Sequence, residues 1–106
     1  MARRAYALIF SPEVGDHLKA IDSKFHALIL EKIDEQLQYE PTIETRNRKP
    51  LRTPAPFSAQ WEIRFGPQNR FRVLYDVNDD EGQVNILAVG EKTRNRLLVG
   101  GEEIEL

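Results

Sequence analysis

The chain has 106 residues, 41% of them hydrophobic, a formal net charge of −2 and no cysteine. That length supports one core and not two, and no run approaches the roughly 18 apolar residues of a membrane helix, so a single cytoplasmic domain spanning residues 1–106 is expected, with no membrane partner. With no thiol and only His17 and His26 as imidazoles, disulfides and a clustered metal site are excluded. Any chemistry is expected to run without metal or cofactor, on carboxylates, lysines, arginines or tyrosines.

Residues 6–10 form a short apolar run that reads as an opening strand. Ser11-Pro12-Glu13 reads as a helix start, with a capping hydroxyl, a proline at the first helical position and an acid near the positive end of the dipole. Val14, Leu18 and Ile21 follow at helical spacing. Asp22-Ser23 offers a second cap, after which Phe25, Leu28, Ile29, Ile33 and Leu37 mark one stripe of a longer helix running to about residue 39. The two segments predict a helical hairpin whose stripe faces a core, with His17 and His26 at the surface or half-buried. Pro41 ends the second helix. Residues 41–56 contain four prolines and no sustained period, which predicts a connecting loop. That segment carries Arg46, Arg48, Lys49 and Arg52, either as a solvated charged face or as a rim of phosphate contacts.

The stretch from Trp61 to Tyr75 alternates apolar and polar residues on both sides of the turn Gly66-Pro67-Gln68-Asn69-Arg70, the pattern of two half-buried strands in a hairpin. Trp61, Ile63 and Phe65 point one way with Phe71, Val73 and Tyr75; Glu62 and Arg64 point the other way with Arg72 and Leu74. Matching the faces pairs Phe65 with Phe71, Ile63 with Val73 and Trp61 with Tyr75, because a slip of one residue mixes core and solvent sides. Arg64 then stands opposite Arg72, an unfavourable like-charge pair that calls for an anion or a carboxylate, and Glu62 lies diagonally within reach. A slip of two residues, pairing Glu62 with Arg72, keeps the faces but buries fewer aromatics. Trp61 is expected to carry much of the core contact, since large aromatics bury the most area.

Asn78-Asp79-Asp80-Glu81-Gly82 predicts a polar turn, and residues 84–89 a strand apolar enough to be central, ended by Gly90. Glu91, Lys92, Arg94 and Arg96 follow, then an apolar Leu97-Leu98-Val99 read as exposed, a Gly100-Gly101 break and an alternating tail that forms an edge strand or hangs free. The fold class is therefore α+β, an N-terminal strand and helical hairpin packed on one face of a mainly antiparallel sheet. Charge divides between the halves: residues 44–96 hold ten basic and seven acidic side chains, residues 13–40 three and seven.

In the order and spacing of these pieces, the opening strand and helical pair, the Pro41 break, Trp61-Glu62-Ile63-Arg64, Arg70-Phe71-Arg72-Val73-Leu74-Tyr75 and Val89-Gly90-Glu91-Lys92-Thr93-Arg94, the chain resembles the RelE/ParE superfamily of type II toxin-antitoxin toxins. The resemblance implies a ribosome-dependent mRNA endonuclease working without metal, with Arg64 and Arg72 at two basic positions of the sheet face and Lys92 at the basic position after the last strand. Glu62 stands where RelE has a basic residue, a general-base position that some relatives fill with glutamate, and Leu98 stands where RelE has a tyrosine. Glu62 has a second reading, in which it neutralises Arg72 and holds the platform together. Arg48, Lys49, Arg52, Arg70, Arg94 and Arg96 are the implied RNA-binding rim. The implied partners are a cognate antitoxin, the ribosome and mRNA. Two other functions stay open within the same superfamily: a ParE-like inhibitor of DNA gyrase, and a member that only binds its partner.

Overall fold

Matching of like faces across the Gly66 turn sets the register of the central hairpin, and the computed structural model, which describes residues 5–105, has Phe65 opposite Phe71, Ile63 opposite Val73, Trp61 opposite Tyr75 and Arg64 opposite Arg72. Strand β1 (Ala7–Phe10) leads into helix α1 (Val14–Lys19), a 3-10 turn (Ser23–Phe25) and helix α2 (His26–Leu37). Strands β2 (Arg48–Pro50), β3 (Trp61–Phe65), β4 (Phe71–Asn78), β5 (Gln83–Thr93), β6 (Arg96–Val99) and β7 (Glu102–Ile104) follow. They lie in the order β2-β3-β4-β5-β6-β7, every neighbour antiparallel, and β1 joins β5 in parallel. This is the expected α+β arrangement.

The apolar stripe of α2, Ile29, Ile33 and Leu37, packs with Ile63, Phe71, Val73 and Tyr75 of the hairpin and Val84, Ile86 and Val89 of β5. Phe71 and Tyr75 are the largest fully buried side chains, whereas Trp61 is only half-buried at the edge of this cluster. The dominant aromatic is thus not the tryptophan that size alone favoured. The Tyr75 hydroxyl donates to the Pro41 carbonyl at 2.5 Å, which satisfies a buried polar group and fixes the chain where it leaves α2. Burial raises the pKa of that phenol far above its ordinary value, so it stays neutral.

Several expectations are corrected. Helix α1 begins at Val14 and not at Pro12, because the Ser11 hydroxyl turns to the Glu13 carboxylate in place of a backbone N–H. Asp22 does cap, accepting from the Lys24 N–H at 3.1 Å. The proline-rich segment contains β2, which pairs Arg48 with Ile63 and Lys49 with Glu62. Strand β5 continues through Gly90 to Thr93; the glycine is there for close approach, since a Cβ would lie 2.9 Å from the Leu98 carbonyl oxygen and 2.9 Å from Val99 Cγ2. The face opposite the helices is partly closed, for Leu74, Ala88, Leu97, Val99 and Ala59 form a second apolar cluster with Leu51 and Ile104. Leu97 and Val99 are therefore interior and Leu98 half-buried, so this run is not an exposed patch. The tail is an edge strand, β7, turned back at Gly100 and Gly101, whose φ angles of 61° and 83° suit only glycine cheaply.

Gly66 is the most constrained turn residue: its φ is 82°, and a Cβ would sit 2.5 Å from Phe71 Cδ2. Gly66→Ala is expected to cost about 2–4 kcal/mol from left-handed strain plus overpacking, read as a lower urea midpoint at unchanged slope.

His17, expected at or near the surface, is 7% exposed. β5 pairs with β1 through Ile86 and with β6 from Gly90 onward, and between these pairings the Val89 N–H donates to His17 Nδ1 at 3.3 Å. Burial lowers the imidazole pKa below the ordinary 6.5, against the opposing pull of the Glu13 and Asp16 carboxylates. With the folded value below the unfolded one, the unfolded chain binds more protons as pH falls through 6.5, so stability drops in that window and is fully present above it. Urea melts from pH 7.5 to 5 are expected to show this loss, and His17→Gln to flatten it.

Candidate anion-binding face

The like-charge pair is held by one carboxylate. Glu62, 1% exposed, accepts from Arg64 Nε at 2.7 Å, and its Oε1 lies 3.5 Å from an Arg72 terminal nitrogen. The register supplies this: Arg64 and Arg72 face each other across β3 and β4, and Glu62 is two residues from Arg64 on the same face. Glu62 Oε2 is buried with no hydrogen-bond partner. Arg72 is 7% exposed and donates from Nε to the Asn69 carbonyl at 3.2 Å. Burial pulls its pKa below the ordinary arginine value; the Glu62 carboxylate opposes that shift and the Arg64 charge adds to it. An arginine remains charged under such a shift.

Beyond Arg72 the ladder continues to Gly90, which puts no side chain on the face, and then to Val99. This leaves an open groove lined by Arg72, Lys92, Asn95, Arg96 and Leu97 and by residues 103–105 of the tail. Lys92 and Arg96 are exposed. Arg94, also exposed, sits at φ 56° in the tight turn between β5 and β6. Thus Arg64, Arg72, Glu62 and Lys92 share one face, with Arg96 at its rim.

Of the other residues expected at the rim, Arg48, Arg70 and Arg52 lie elsewhere. Arg48 is 5% exposed and donates to the carbonyls of Gln36 at 2.7 Å and Ile43 at 3.0 Å and to Gln36 Oε1 at 3.0 Å. It ties the end of α2 to β2 and is no surface contact. Arg70 is bound by two nitrogens to Glu91 and lies over the rings of Phe25, at 5.1 Å, and Phe71, at 5.6 Å. Its guanidinium faces the helical side, away from the groove. Lys49, by contrast, is the cross-strand neighbour of Glu62 on the same face, half-buried and 3.3 Å from Glu44. Arg52 is exposed beside Pro50 and Pro54, outside the groove. The return of the tail beside the groove was not expected; its signal is the glycine pair before the alternating Glu-Glu-Ile-Glu, which brings the tail back antiparallel to β6.

Among the described residues no three histidine, aspartate or glutamate side chains stand together as a metal-ligand set. No described helix is long and apolar enough to cross a membrane.

Two helices packed on one face of a mainly antiparallel sheet that β1 joins in parallel, with paired arginines on the other face, are the features of a RelE/ParE superfamily toxin. The fold is similar to the RelBE2 toxin-antitoxin complex of Mycobacterium tuberculosis, with a TM-score of 0.69 and 25% identity over 88% of this chain and 98% of that one. The family model for the ParE toxin of type II toxin-antitoxin systems matches residues 8–96, and the chain belongs to that family. No functionally curated protein matches it.

Proposed function

We propose that this toxin arrests growth by acting on translated mRNA, as a ribosome-dependent endonuclease whose phosphate site is the Arg64, Arg72 and Lys92 face. One observation carries the reading: two arginines stand directly opposite each other on a sheet face and share a single carboxylate, so the group keeps excess positive charge in a protein of net charge −2. Lys92 and Arg96 add to that excess beside the same groove. Phosphate is the ligand that two guanidinium forks bind best, through charge-assisted hydrogen bonds of about 1.5–3 kcal/mol each. A scissile phosphate that takes the donors of Arg64 and Arg72 leaves Glu62 as the nearest acceptor for the 2′-hydroxyl proton. Arg72 and Lys92 then stabilise the charge that develops on the phosphorus oxygens. Arg94 and Arg96 hold the flanking backbone. The partner that silences the toxin is a cognate antitoxin, as the RelBE2 assembly suggests by likeness.

A second reading, inhibition of DNA gyrase, is favoured by a specific gap. Among the described residues no tyrosine lines the groove: Leu98 is half-buried at the position given to one by the resemblance, and the Tyr75 hydroxyl is bonded to Pro41 on the helical side. Two purified reactions separate the readings. Cleavage of mRNA added to programmed ribosomes supports the nuclease; intact mRNA together with blocked supercoiling by gyrase replaces it with the second reading.

A further inference from the structure

We infer that the cleft where α2 meets the loop before β2 is a second phosphate-binding site, separate from the Arg72 groove. It is lined by Lys32 and Gln36 of α2, by Thr45, Arg46 and Asn47 of the loop, and by residues 63–65 of β3, and no described acidic residue lines it. Lys32 and Gln36 lie four residues apart and so share a side of the helix. Arg46 is exposed in the turn that the backbones of Thr45 and Arg48 close.

Arg48 makes this cleft electropositive from behind. It is 5% exposed, and its acceptors are neutral: the Gln36 carbonyl at 2.7 Å, Gln36 Oε1 at 3.0 Å and the Ile43 carbonyl at 3.0 Å. Its Nε is buried with no hydrogen-bond partner, and among the described residues no carboxylate oxygen lies within 4.0 Å of the guanidinium. Carbonyl dipoles satisfy hydrogen bonds without cancelling charge, and a buried cation is normally matched by an anion. Three neighbours of Arg48 belong to the cleft lining: Gln36 accepts from it, Thr45 bridges to it and Ile63 pairs with it in the sheet. Its charge is screened less than that of a surface arginine, so it adds to the attraction exerted by Lys32 and Arg46.

The acids nearby leave that attraction in place. Glu44 is 3.3 Å from Lys49, and Glu35 meets Lys32 at 3.5 Å in a solvent-accessible pair of the kind worth little. Arg64 connects the cleft with the anion face: its Nε is bound to Glu62, and its backbone N–H donates to the Asn47 carbonyl at 2.9 Å. An RNA strand whose reacting phosphate lies at Arg64 and Arg72 therefore meets this cleft with the phosphate of a neighbouring nucleotide. RNA as the occupant rests on the reading above; the affinity for phosphate does not.

Inorganic phosphate is titrated into isotope-labelled toxin at low salt, with the cleft read from the amide signals of residues 45–47 and the anion face from the Arg72 Nε signal. Saturable shifts are expected at 45–47, about tenfold weaker in Lys32→Gln/Arg46→Gln and within about twofold of the unaltered protein in Lys19→Gln/Lys24→Gln, which makes the same charge change on exposed residues elsewhere. A 2′-O-methyl RNA tetranucleotide, which carries phosphodiesters and no free 2′-hydroxyl along its backbone, is expected to move both sets of signals. No saturable shift at 45–47, or an equal loss in both variants, overturns the site. A response to free phosphate but not to the RNA, or to tetraglutamate in place of the RNA, overturns RNA as its occupant. A cleft that responds while Arg72 Nε stays silent sinks the phosphate site of the reading above and leaves this one standing.

Discussion

Replacing Phe71 with alanine is expected to lower the unfolding free energy by about 3–5 kcal/mol, the range for deleting a buried aromatic. Phe71 has no exposed surface and packs between Phe25, with ring centroids 5.0 Å apart, and Phe65, at 6.1 Å. It is also the ring that Gly66 is shaped around, so its loss opens a cavity bounded by a turn that cannot easily collapse into it. Trp61→Ala is expected to cost less, because the indole is only half-buried. Urea denaturation of the two variants ranks them; a larger loss at Trp61 contradicts the core described above.

Arg72→Ala is expected to reduce mRNA cleavage by about 10²–10³-fold, the usual consequence of losing one donor that stabilises transition-state charge. The guanidinium is placed for that role by three features: its opposite residue is Arg64, its Nε is oriented by the Asn69 carbonyl, and Gly90 keeps the space beside it clear. Arg72→Lys is expected to recover little, since an ammonium cannot reproduce the planar fork. Deleting Arg72 also strips Glu62 of one of its two cations and so costs stability. Combining Arg72→Ala with Glu62→Gln relieves that stranded charge. The double variant is expected to regain stability and remain inactive, which separates a catalytic loss from an unfolded protein. Recovery of cleavage in the double variant contradicts the role given to Arg72.

The hairpin was readable because two local rules point to one answer: the period of two assigns every side chain to a face, and like faces must meet. From that register alone came the Arg64 and Arg72 pair and the reach of Glu62. Where the sequence misled, the deciding contact was remote in the chain. Arg48 looks like any charged residue of a proline-rich loop until the carbonyls of Gln36 and Ile43 are brought to it. His17 looks like a surface residue of a short helix until β5 presents an N–H that neither β1 nor β6 takes. Arg70 belongs by sequence to the basic hairpin, yet Glu91 and two phenylalanine rings hold it on the helical side. Leu97 and Val99 became interior because Ala59, Leu74 and Ala88, remote in the chain, pack with them, and no pattern within four residues encodes those contacts.

The central claim, that the Arg64, Arg72 and Lys92 face acts on translated mRNA, is tested most directly by expressing the toxin briefly in bacteria and mapping new RNA 5′ ends, with Arg72→Ala in parallel. The account predicts cuts inside coding regions that disappear in the variant. Growth arrest without such cuts, or cuts that persist in Arg72→Ala, contradicts it.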